Sequence, residues 1–300
     1  MKEIIRITIG LTLSCFLAAM IMGAVFVVTD KTKKQNEYNK TQATMLGLLG
    51  YGKENPATEE LKFYPVYRYI VEEDGETYLG YMVPVKASDY EAYEFLILDL
   101  EGRLVQRFTL DISLEKAIDD SDRQKILKET LKPETAFAYQ DQTIVACLRD
   151  KRVAYLLPGE FTGFKTFIEV MLALDPRFDI IGLEIVEHEE DPGLGAEIEQ
   201  DYFKNQFKDK SFERLKNLTV VKEPLPDVFR RYLEDPDTLS AKELEDIRNQ
   251  YLDKDIYSLT GATISSRAVT NGVKNMVKRF AYRIKILDEV IAGHQIPAVI

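Results

Sequence analysis

The 300-residue chain contains 45% hydrophobic and 30% charged residues, an ordinary composition for a folded body of one large or two small domains. Its net charge is −11, and because residues 1–34 carry +3, the remainder carries −14. An acidic body argues against a nucleic-acid partner, since binding to phosphates requires a basic face. Two cysteines and two histidines supply no ligand set for zinc, haem or iron–sulfur clusters. We therefore assign no metal site, and any redox chemistry would require an organic cofactor.

Neither cysteine is expected to be reactive. Cys15 lies within an apolar N-terminal run, and Cys147 lies within the apolar stretch Ile144–Leu148, where a buried and inert thiol is predicted. The part of the chain beyond the N-terminal run therefore has no cysteine pair that would form a disulfide.

The first predicted element is a membrane-spanning helix. Ile7–Thr29, between Arg6 and Asp30, contains no charged residue, and as a helix it is about 35 Å long, enough to cross a hydrocarbon core of about 30 Å. A cleaved signal peptide would have a shorter apolar core of about 7–15 residues that ends in an A-x-A-like site. Ala18 and Ala19 fall in the middle of the run, and no such site closes it. We therefore expect an uncleaved anchor.

The anchor and its flanks account for residues 1–34. Basic residues lie at both ends of the apolar run, so the positive-inside rule does not choose the side of the membrane that receives the rest of the chain.

Beyond the anchor, the pattern predicts a helix over Asn36–Gly50 and then a series of antiparallel hairpins. The predicted hairpins pair Phe63–Val71 with Tyr78–Val85, Tyr93–Leu100 with Leu104–Leu110, Gln142–Leu148 with Arg152–Leu157 over Asp150–Lys151, and Phe167–Leu174 with Asp179–Glu187. Two capping boxes, Ser121 with Gln124 and Ser240 with Glu243, predict one helix that stops before Pro133 and another that runs to about Leu252.

The last element is a long helix from about Ser266. One of its faces is apolar at steps of three and four residues, a pattern typical of core packing. The apolar residues are Val269, Val273, Met276, Phe280, Ile284 and Leu287. The predicted fold class is α+β: an N-terminal transmembrane helix, a soluble domain of antiparallel hairpins, and a long C-terminal helix. The predicted divisions are 1–34, 35–150 and 151–300.

A weak internal similarity occurs at a spacing of 76 residues. Leu98-Asp99 matches Leu174-Asp175, and Leu104-Val105 matches Ile180-Ile181, each pair flanking a predicted turn. A duplicated strand unit and the shared chemistry of hairpins both explain the match.

Hydroxyl residues and a glycine stand just before the long helix, in the segment Ser258–Ser266. A helix N-terminus offers unpaired N–H groups and a partial positive charge, so it favours a phosphate group. Gly261 and Ala262 permit close approach of a ligand to the backbone, and the hydroxyls could accept or donate hydrogen bonds or be points of attachment. The simpler interpretation is that the hydroxyls cap the helix.

The sequence Thr260-Gly261-Ala262-Thr263, followed by Ile264-Ser265-Ser266, resembles the S/T-G-A-T signature of FMN-binding domains. This family includes the G subunit of the Rnf electron-transport complex and the C subunit of the sodium-pumping NADH:quinone reductase. The resemblance implies that Thr263 carries FMN in phosphoester linkage, with Thr260, Gly261, Ala262, Ser265 and Ser266 around it.

A second motif supports the resemblance. His188-Glu189-Glu190-Asp191-Pro192-Gly193-Leu194-Gly195 is similar to the H-x-E-T-P-G-L-G block that precedes the signature in the Rnf protein. The resemblance, which is firm over about residues 150–290 and weaker over 35–150, implies that Glu190, Pro192, Gly193, Leu194 and Gly195 lie by the flavin. His188 is either a structural histidine or a proton donor to the flavin. In the second case, the neighbouring Glu190 would orient the histidine.

The resemblance implies an electron carrier within an ion-translocating oxidoreductase complex, closer to the Rnf G type, with no catalytic residue of its own assigned. It also implies other membrane subunits as partners, a flavin transferase during maturation, and the bacterial cytoplasmic membrane as location. Covalent attachment is most useful where free FMN is scarce, so we expect the N-terminus inside and the domain from about Asp30 on the outer side.

The sequence departs from the family pattern at three places. Tyr257 stands where the family usually has an aspartate, with Asp255 the nearest acid; Asp191 replaces the usual threonine; and Pro224–Tyr251 resembles an insertion. The tyrosine is the departure that supports an alternative function. The alternative is a membrane-tethered assembly or binding module with a vestigial flavin motif. A serine hydrolase is not indicated, because no G-x-S-x-G sequence occurs.

Overall fold

The computed structural model describes residues 1–87, 90–149 and 151–300, and it confirms the α+β class. Residues 1–47 and 48–300 form two compact units. The α-helices are α1 (Lys2–Leu48), α2 (Asp120–Thr130), α3 (Asp201–Lys204), α4 (Phe212–Leu215), α5 (Asp227–Glu234), α6 (Ala241–Tyr251) and α7 (Thr263–Gly293). The strands are β1 (Leu61–Glu73), β2 (Glu76–Ala87), β3 (Tyr90–Leu98), β4 (Leu104–Leu110), β5 (Ala136–Leu148), β6 (Lys151–Thr162), β7 (Phe167–Leu174), β8 (Ile180–Glu187), β9 (Val220–Val221) and β10 (Ile256–Tyr257). Short 3-10 turns cover Lys116–Ile118, Gly195–Glu199 and Pro236–Thr238.

The N-terminal helix α1 is long and apolar enough to cross a membrane, as judged by its length and composition. It continues without interruption to Leu48 and so includes the helix predicted over Asn36–Gly50. The physical reason is that no glycine or proline interrupts the chain between Asp30 and Leu46.

Within the described residues, the eight longer strands form one antiparallel sheet in the order β4-β3-β2-β1-β5-β6-β7-β8. Each half of the sheet is a meander of four consecutive strands, and the two meanders are joined by the pairing of β1 with β5. All four predicted hairpins are present, and Asp150, at the tip predicted for the third, lies outside the described residues. The sheet is continuous across the division predicted at residue 150. That division therefore stays a prediction about which part of the chain carries the function.

The turns between the third and fourth strands of the two meanders are equivalent at an offset of 76 residues. In the turn after β3, Asp99 N donates to Arg103 O at 3.0 Å, and in the turn after β7, Asp175 N donates to Asp179 O at 2.9 Å. The carboxylate of each aspartate also accepts a hydrogen bond from the main-chain N–H four residues on, at 2.8 and 2.9 Å. The same local hydrogen bonds therefore fold both turns.

These equivalent turns share a left-handed residue. Gly102 has φ of +84°, and Phe178, 76 positions later, has φ of +72°. A bulky residue adopts this conformation only when its surroundings compensate for the strain. The ring of Phe178 is buried and lies 5.9 Å from the ring of Phe280 in α7. The ring also lies 5.8 Å from that of Tyr155 in β6 and 5.7 Å from that of Phe212 in α4, so packing in the core holds Phe178 in place.

Helix α7 lies across one face of the sheet and buries the main core against both meanders. The predicted apolar face is confirmed: five of its six residues are buried, and Met276 is partly buried. Helix α2 covers the opposite face of the first meander, where aromatic residues of β1 and β3 pack beneath it. Helix α7 begins at Thr263, three residues before the predicted start, because it directly follows the turn that ends at its N-cap, Ala262.

One predicted capping box is correct and one is wrong. Ser240 and Glu243 form the reciprocal box at the start of α6. For α2, the N-cap is Asp119 instead of Ser121, because the Asp119 carboxylate reaches the N–H of Ser121 at 2.9 Å and the helix begins earlier. Gln124 donates to Asp120 at 2.7 Å and takes no part in a box.

The close contact of α7 with the sheet depends on Gly272, at which a Cβ atom would overlap the ring of Phe161 in β6. We expect Gly272→Ala to lower the free energy of unfolding by about 1–3 kcal/mol, because overpacking outweighs the higher helix propensity of alanine, worth about 1 kcal/mol. Urea unfolding in detergent measures the change. The matched control is Gly293→Ala, where no atom lies within 4 Å of the new Cβ. Equal stability of the two variants would contradict this account.

Candidate functional site

The signature segment forms a turn that leads directly into α7. Gly261 has φ of +78°, which favours glycine, and Ala262 is the N-cap, so no side chain caps the helix. The capping interpretation of this segment is therefore wrong at the N-cap position. The buried Ser266 hydroxyl instead accepts from Leu259 N and donates to Ala262 O, both at 3.0 Å. Ser266 thus stabilises the turn from within.

Thr263 is the first residue of α7 and is partly exposed, while Thr260 is exposed. Among the described residues, neither hydroxyl group forms a hydrogen bond. The N–H groups of the first helical turn have no intrahelical acceptor, and the helix dipole makes this end partly positive. An uncapped helix start beside an accessible hydroxyl fits a phosphate ester at Thr263.

The buried side chain of Glu190 joins three segments around this helix start. Its Oε1 accepts hydrogen bonds from the main-chain N–H groups of Phe164 at 2.7 Å and Lys165 at 3.1 Å, in the turn between β6 and β7. Its Oε2 accepts from the hydroxyl of Ser265 in the first turn of α7. We call this set of bonds the Glu190 junction. Both oxygens of the carboxylate therefore have donors within the protein.

Two glycines leave room for the Glu190 junction. A Cβ on Gly195 would lie 2.5 Å from Glu190 Oε2 and 2.9 Å from the Ser265 hydroxyl. A Cβ on Gly163 would collide with Glu190 Oε1. The second glycine of the P-G-L-G sequence is therefore needed for packing inside the protein, whether or not a ligand lies nearby.

The P-G-L-G loop touches the signature. Asp191 O accepts hydrogen bonds from Leu194 N at 3.1 Å and Ala196 N at 3.0 Å, which closes the loop. A Cβ on Gly261 would lie 2.8 Å from Leu194 Cδ2, so Leu194 rests against the glycine of the signature. The side chains of Leu194 and Ile264 are 45% and 57% exposed. Together they offer apolar surface beside Thr263.

The loop also carries an ion pair with the β6–β7 turn. Lys165 Nζ lies 2.5 Å from Asp191 Oδ1, and its hydrogen bond with Asp191 raises the pKa of Lys165. Pro192 and Gly193 follow Asp191, and Gly193 has φ of +73° with open space beside it. The ion pair is exposed to solvent, so it contributes little to stability.

His188 is oriented by the main chain of Glu190, and the carboxylate of Glu190 takes no part. Its Nδ1 accepts from Glu190 N at 3.1 Å, so the proton of the neutral ring is placed on Nε2. Nε2 lies 2.7 Å from Glu199 Oε1 but outside hydrogen-bond geometry, and it is buried without another partner among the described residues. A proton-donating role for His188 stays a prediction.

Tyr257, which departs from the family pattern, is part of a small separate core. Its buried ring lies 6.2 Å from that of Phe229 in α5. The amide of Gln206 accepts from Tyr257 N at 2.8 Å and donates to Tyr257 O at 3.3 Å. The segment Pro224–Tyr251, which the sequence predicts to be an insertion and which we call the additional segment, supplies most of this core. The tyrosine and the additional segment are thus two parts of one structural feature, which the sequence did not reveal.

The nearby Asp255 is engaged in structural bonds. Its Oδ1 accepts from Thr219 N at 2.9 Å and from Arg214 Nη2 at 2.6 Å. Burial opposes ionisation, but the hydrogen bond from Thr219 and the bond and charge of Arg214 lower the pKa of Asp255 overall. This carboxylate is therefore committed to the loop that precedes β10.

The part of the chain that carries the site is similar to a known class of domain. Residues 163–278 match the family model of the FMN-binding domain, which confirms the resemblance inferred from the two motifs. Within that class, the chain is similar to the G subunit of the proton-translocating ferredoxin:NAD(+) oxidoreductase complex of Clostridium ljungdahlii, with 38% identity over 130 residues. This alignment covers 43% of the chain and 55% of the relative, so the chain spans about half of that relative's length.

Two solved structures are also similar. NqrC of Shewanella oneidensis aligns with 19% identity and a TM-score of 0.34, over 48% of this chain and 57% of that one. The C subunit of the Na(+)-translocating NADH-quinone reductase of Parabacteroides distasonis aligns with 20% identity and a TM-score of 0.33, over 64% and 74%. Backbone agreement at these scores is partial and supports no detail of the site.

The Glu190 junction generates a prediction about stability. Glu190→Ala leaves two main-chain N–H groups and the Ser265 hydroxyl without their acceptor, so we expect the free energy of unfolding to fall by about 2 kcal/mol or more. Glu190→Gln keeps one oxygen for the main-chain donors and should recover most of this loss. Thermal unfolding measures both variants. Glu189→Ala, at the exposed neighbouring position, is the control and should be nearly neutral. A neutral Glu190→Ala would contradict the importance of the junction.

Proposed function

We propose that the chain is a membrane-anchored flavoprotein subunit that carries FMN covalently on Thr263 and passes electrons within an ion-translocating oxidoreductase complex. The observation that carries the proposal is the position of Thr263: an accessible hydroxyl without a partner among the described residues, at the uncapped N-terminus of α7, within the segment that matches the FMN-binding family. The proposed flavin-bearing part is residues 151–300, with 35–150 as the other part of the soluble region.

The residues around Thr263 fit a bound phosphate ester. Formation of the ester joins Thr263 Oγ to the FMN phosphorus and converts a phosphomonoester into a diester, with the overall loss of one water. Gly261 leaves the approach to the helix start open, and the first-turn N–H groups face the charge of the phosphate. The isoalloxazine ring supplies the redox chemistry. Leu194 and Ile264 provide the exposed apolar surface on which a flat ring would rest.

The proposed partners follow from the kind of relative found. That relative is named as a subunit of a proton-translocating ferredoxin:NAD(+) oxidoreductase complex. We propose that this chain works in a complex of that kind, as a carrier that is not active alone, beside other membrane subunits and after modification by a flavin transferase. Helix α1 would hold it in the bacterial cytoplasmic membrane.

The competing function is a tethered assembly module whose flavin motif is vestigial. The observation in its favour is Tyr257 at the position of the usual aspartate. The burial of Tyr257 against the additional segment gives that substitution a structural reason, which weakens its value as a sign of lost function. The attachment experiment separates the two.

For attachment, we expect the chain co-expressed with a flavin transferase to gain the mass of one FMN less one water. Thr263→Ala should abolish this gain, because the acceptor oxygen is removed. Thr260→Ala is the matched control, a hydroxyl loss three residues away in the same turn, and should retain the gain. Intact-protein mass spectrometry measures all three. An unmodified wild-type chain would favour the vestigial module.

For topology, we propose the N-terminus inside and the chain from about Asp30 onward outside. Protease added to spheroplasts should then digest the soluble part while the membrane remains sealed. A cytoplasmic marker protein that stays intact is the control for sealing. Digestion that occurs only after lysis would place the flavin on the cytoplasmic side.

A further inference from the structure

Each meander of the sheet opens a notch between its first two strands. In the first half, the pairing of β1 with β2 extends only from Glu73↔Glu76 to Tyr67↔Met82. In the second half, the pairing of β5 with β6 extends only from Leu148↔Lys151 to Ile144↔Leu156. Beyond Met82, β2 continues without β1 along one of its edges, and beyond Leu156, β6 continues without β5 along the equivalent edge.

The notch of the first half is filled by the C-terminal tail of the chain. Lys86 N donates to Pro297 O at 2.9 Å, and Val299 N donates to Pro84 O at 3.1 Å. The tail forms an antiparallel bridge with β2 at this point. Within the tail, Ile296 is buried, and Ala298, Val299 and Ile300 pack against the main core. An extended peptide therefore already completes one of the two equivalent edges.

Residue pairing establishes which positions of β2 and β6 are equivalent. Leu79 pairs with Leu98 just before the first turn, and Tyr155 pairs with Leu174 just before the equivalent turn. Since the two turns are 76 residues apart, β2 and β6 align with the same offset.

At this offset, Glu160 corresponds to Pro84 and Thr162 corresponds to Lys86. The alternation of hydrogen bonds along β6 agrees with this alignment, because Gly163 N donates to Thr166 O across the β6–β7 turn at 2.7 Å. In an antiparallel ladder, alternate residues bond to opposite neighbours. The main-chain groups of Glu160 and Thr162 therefore point away from β7, into the second notch.

The second notch is open. Glu160 and Thr162 are exposed, and within the described residues no group pairs with the C=O of Glu160 or the N–H of Thr162. Unpaired main-chain groups along a strand edge are a template for an added strand. We call Glu160–Thr162 the open edge.

We propose that the open edge receives an extended strand from a partner polypeptide, as β2 receives the chain's own tail. The strand has a branched aliphatic residue on the α7 side, as the tail has, and a basic residue beside the exposed carboxylate of Glu160, since opposite charges on neighbouring strands attract. The open edge leads directly into the turn whose N–H groups bind Glu190. The docked partner therefore lies next to the proposed flavin site.

This inference rests on the proposed function, because it requires a complex. The test uses the full chain with an N-terminal tag, purified from native membranes alone and with its partner subunits. Hydrogen exchange at the Thr162 amide should slow by about tenfold or more in the complex, as expected when a main-chain hydrogen bond forms. The Lys86 amide, bonded to the tail in the isolated chain, should be slow in both samples.

A pair of variants isolates the main-chain bond. Thr162→Pro removes the N–H that points into the notch, and the strand already contains Pro158, so proline is tolerated here. We expect its assembly on native gels to fall by about fivefold or more. Thr162→Ala keeps the N–H and should assemble normally. Unchanged melting temperature and FMN mass show that Thr162→Pro retains the fold and the site.

The outcomes separate the two proposals. A wild-type chain that purifies with no partner contradicts the proposed function and, with it, this inference. Normal assembly with fast exchange at Thr162, or normal assembly of Thr162→Pro, overturns the open edge as the docking site while the function stands. Protection that rises with concentration in the isolated chain would assign the edge to a second copy, and so would overturn a partner polypeptide.

Discussion

The candidate site depends on one buried carboxylate. A buried acid is costly unless its oxygens are hydrogen-bonded, and Glu190 meets this requirement with donors from two other segments of the chain. Because these donors are a hairpin turn and the first turn of α7, satisfying the carboxylate also fixes the positions of those segments. The loop of Leu194 then comes to rest against Gly261. The arrangement around Thr263 is thus a consequence of satisfying Glu190.

Helix α7 transmits this order across the molecule. Its first turn carries Thr263 and Ser265, its middle packs closely on β6 through Gly272, and the tail that follows it completes the edge of β2. One helix of 31 residues therefore serves both meanders. A cofactor attached at its first residue would be held by a rigid element with a large buried face, which suits a fixed electron carrier.

The additional segment between β9 and β10 is anchored by polar contacts as well as by its small core. Lys210 is buried, and its ammonium group donates to Leu252 O and Lys254 O, both at 2.7 Å, at the end of α6. Burial lowers the pKa of Lys210 to about 8, since desolvation disfavours the charged form. Together with the packing of Tyr257, these contacts hold the segment against the rest of the domain.

The sequence by itself determined the elements whose signals are local. Alternating strands, the apolar stripe of α7, the box of Ser240 and Glu243, and the two motifs all follow from neighbouring residues. The motifs also indicated the domain family whose model residues 163–278 match. Tertiary structure decided what depends on distant partners: the strand order, the bond between Glu190 and Ser265 across 75 positions, and the burial of Tyr257. Local patterns report which faces are apolar, but the choice of long-range partners depends on packing of the whole chain, which no single segment encodes.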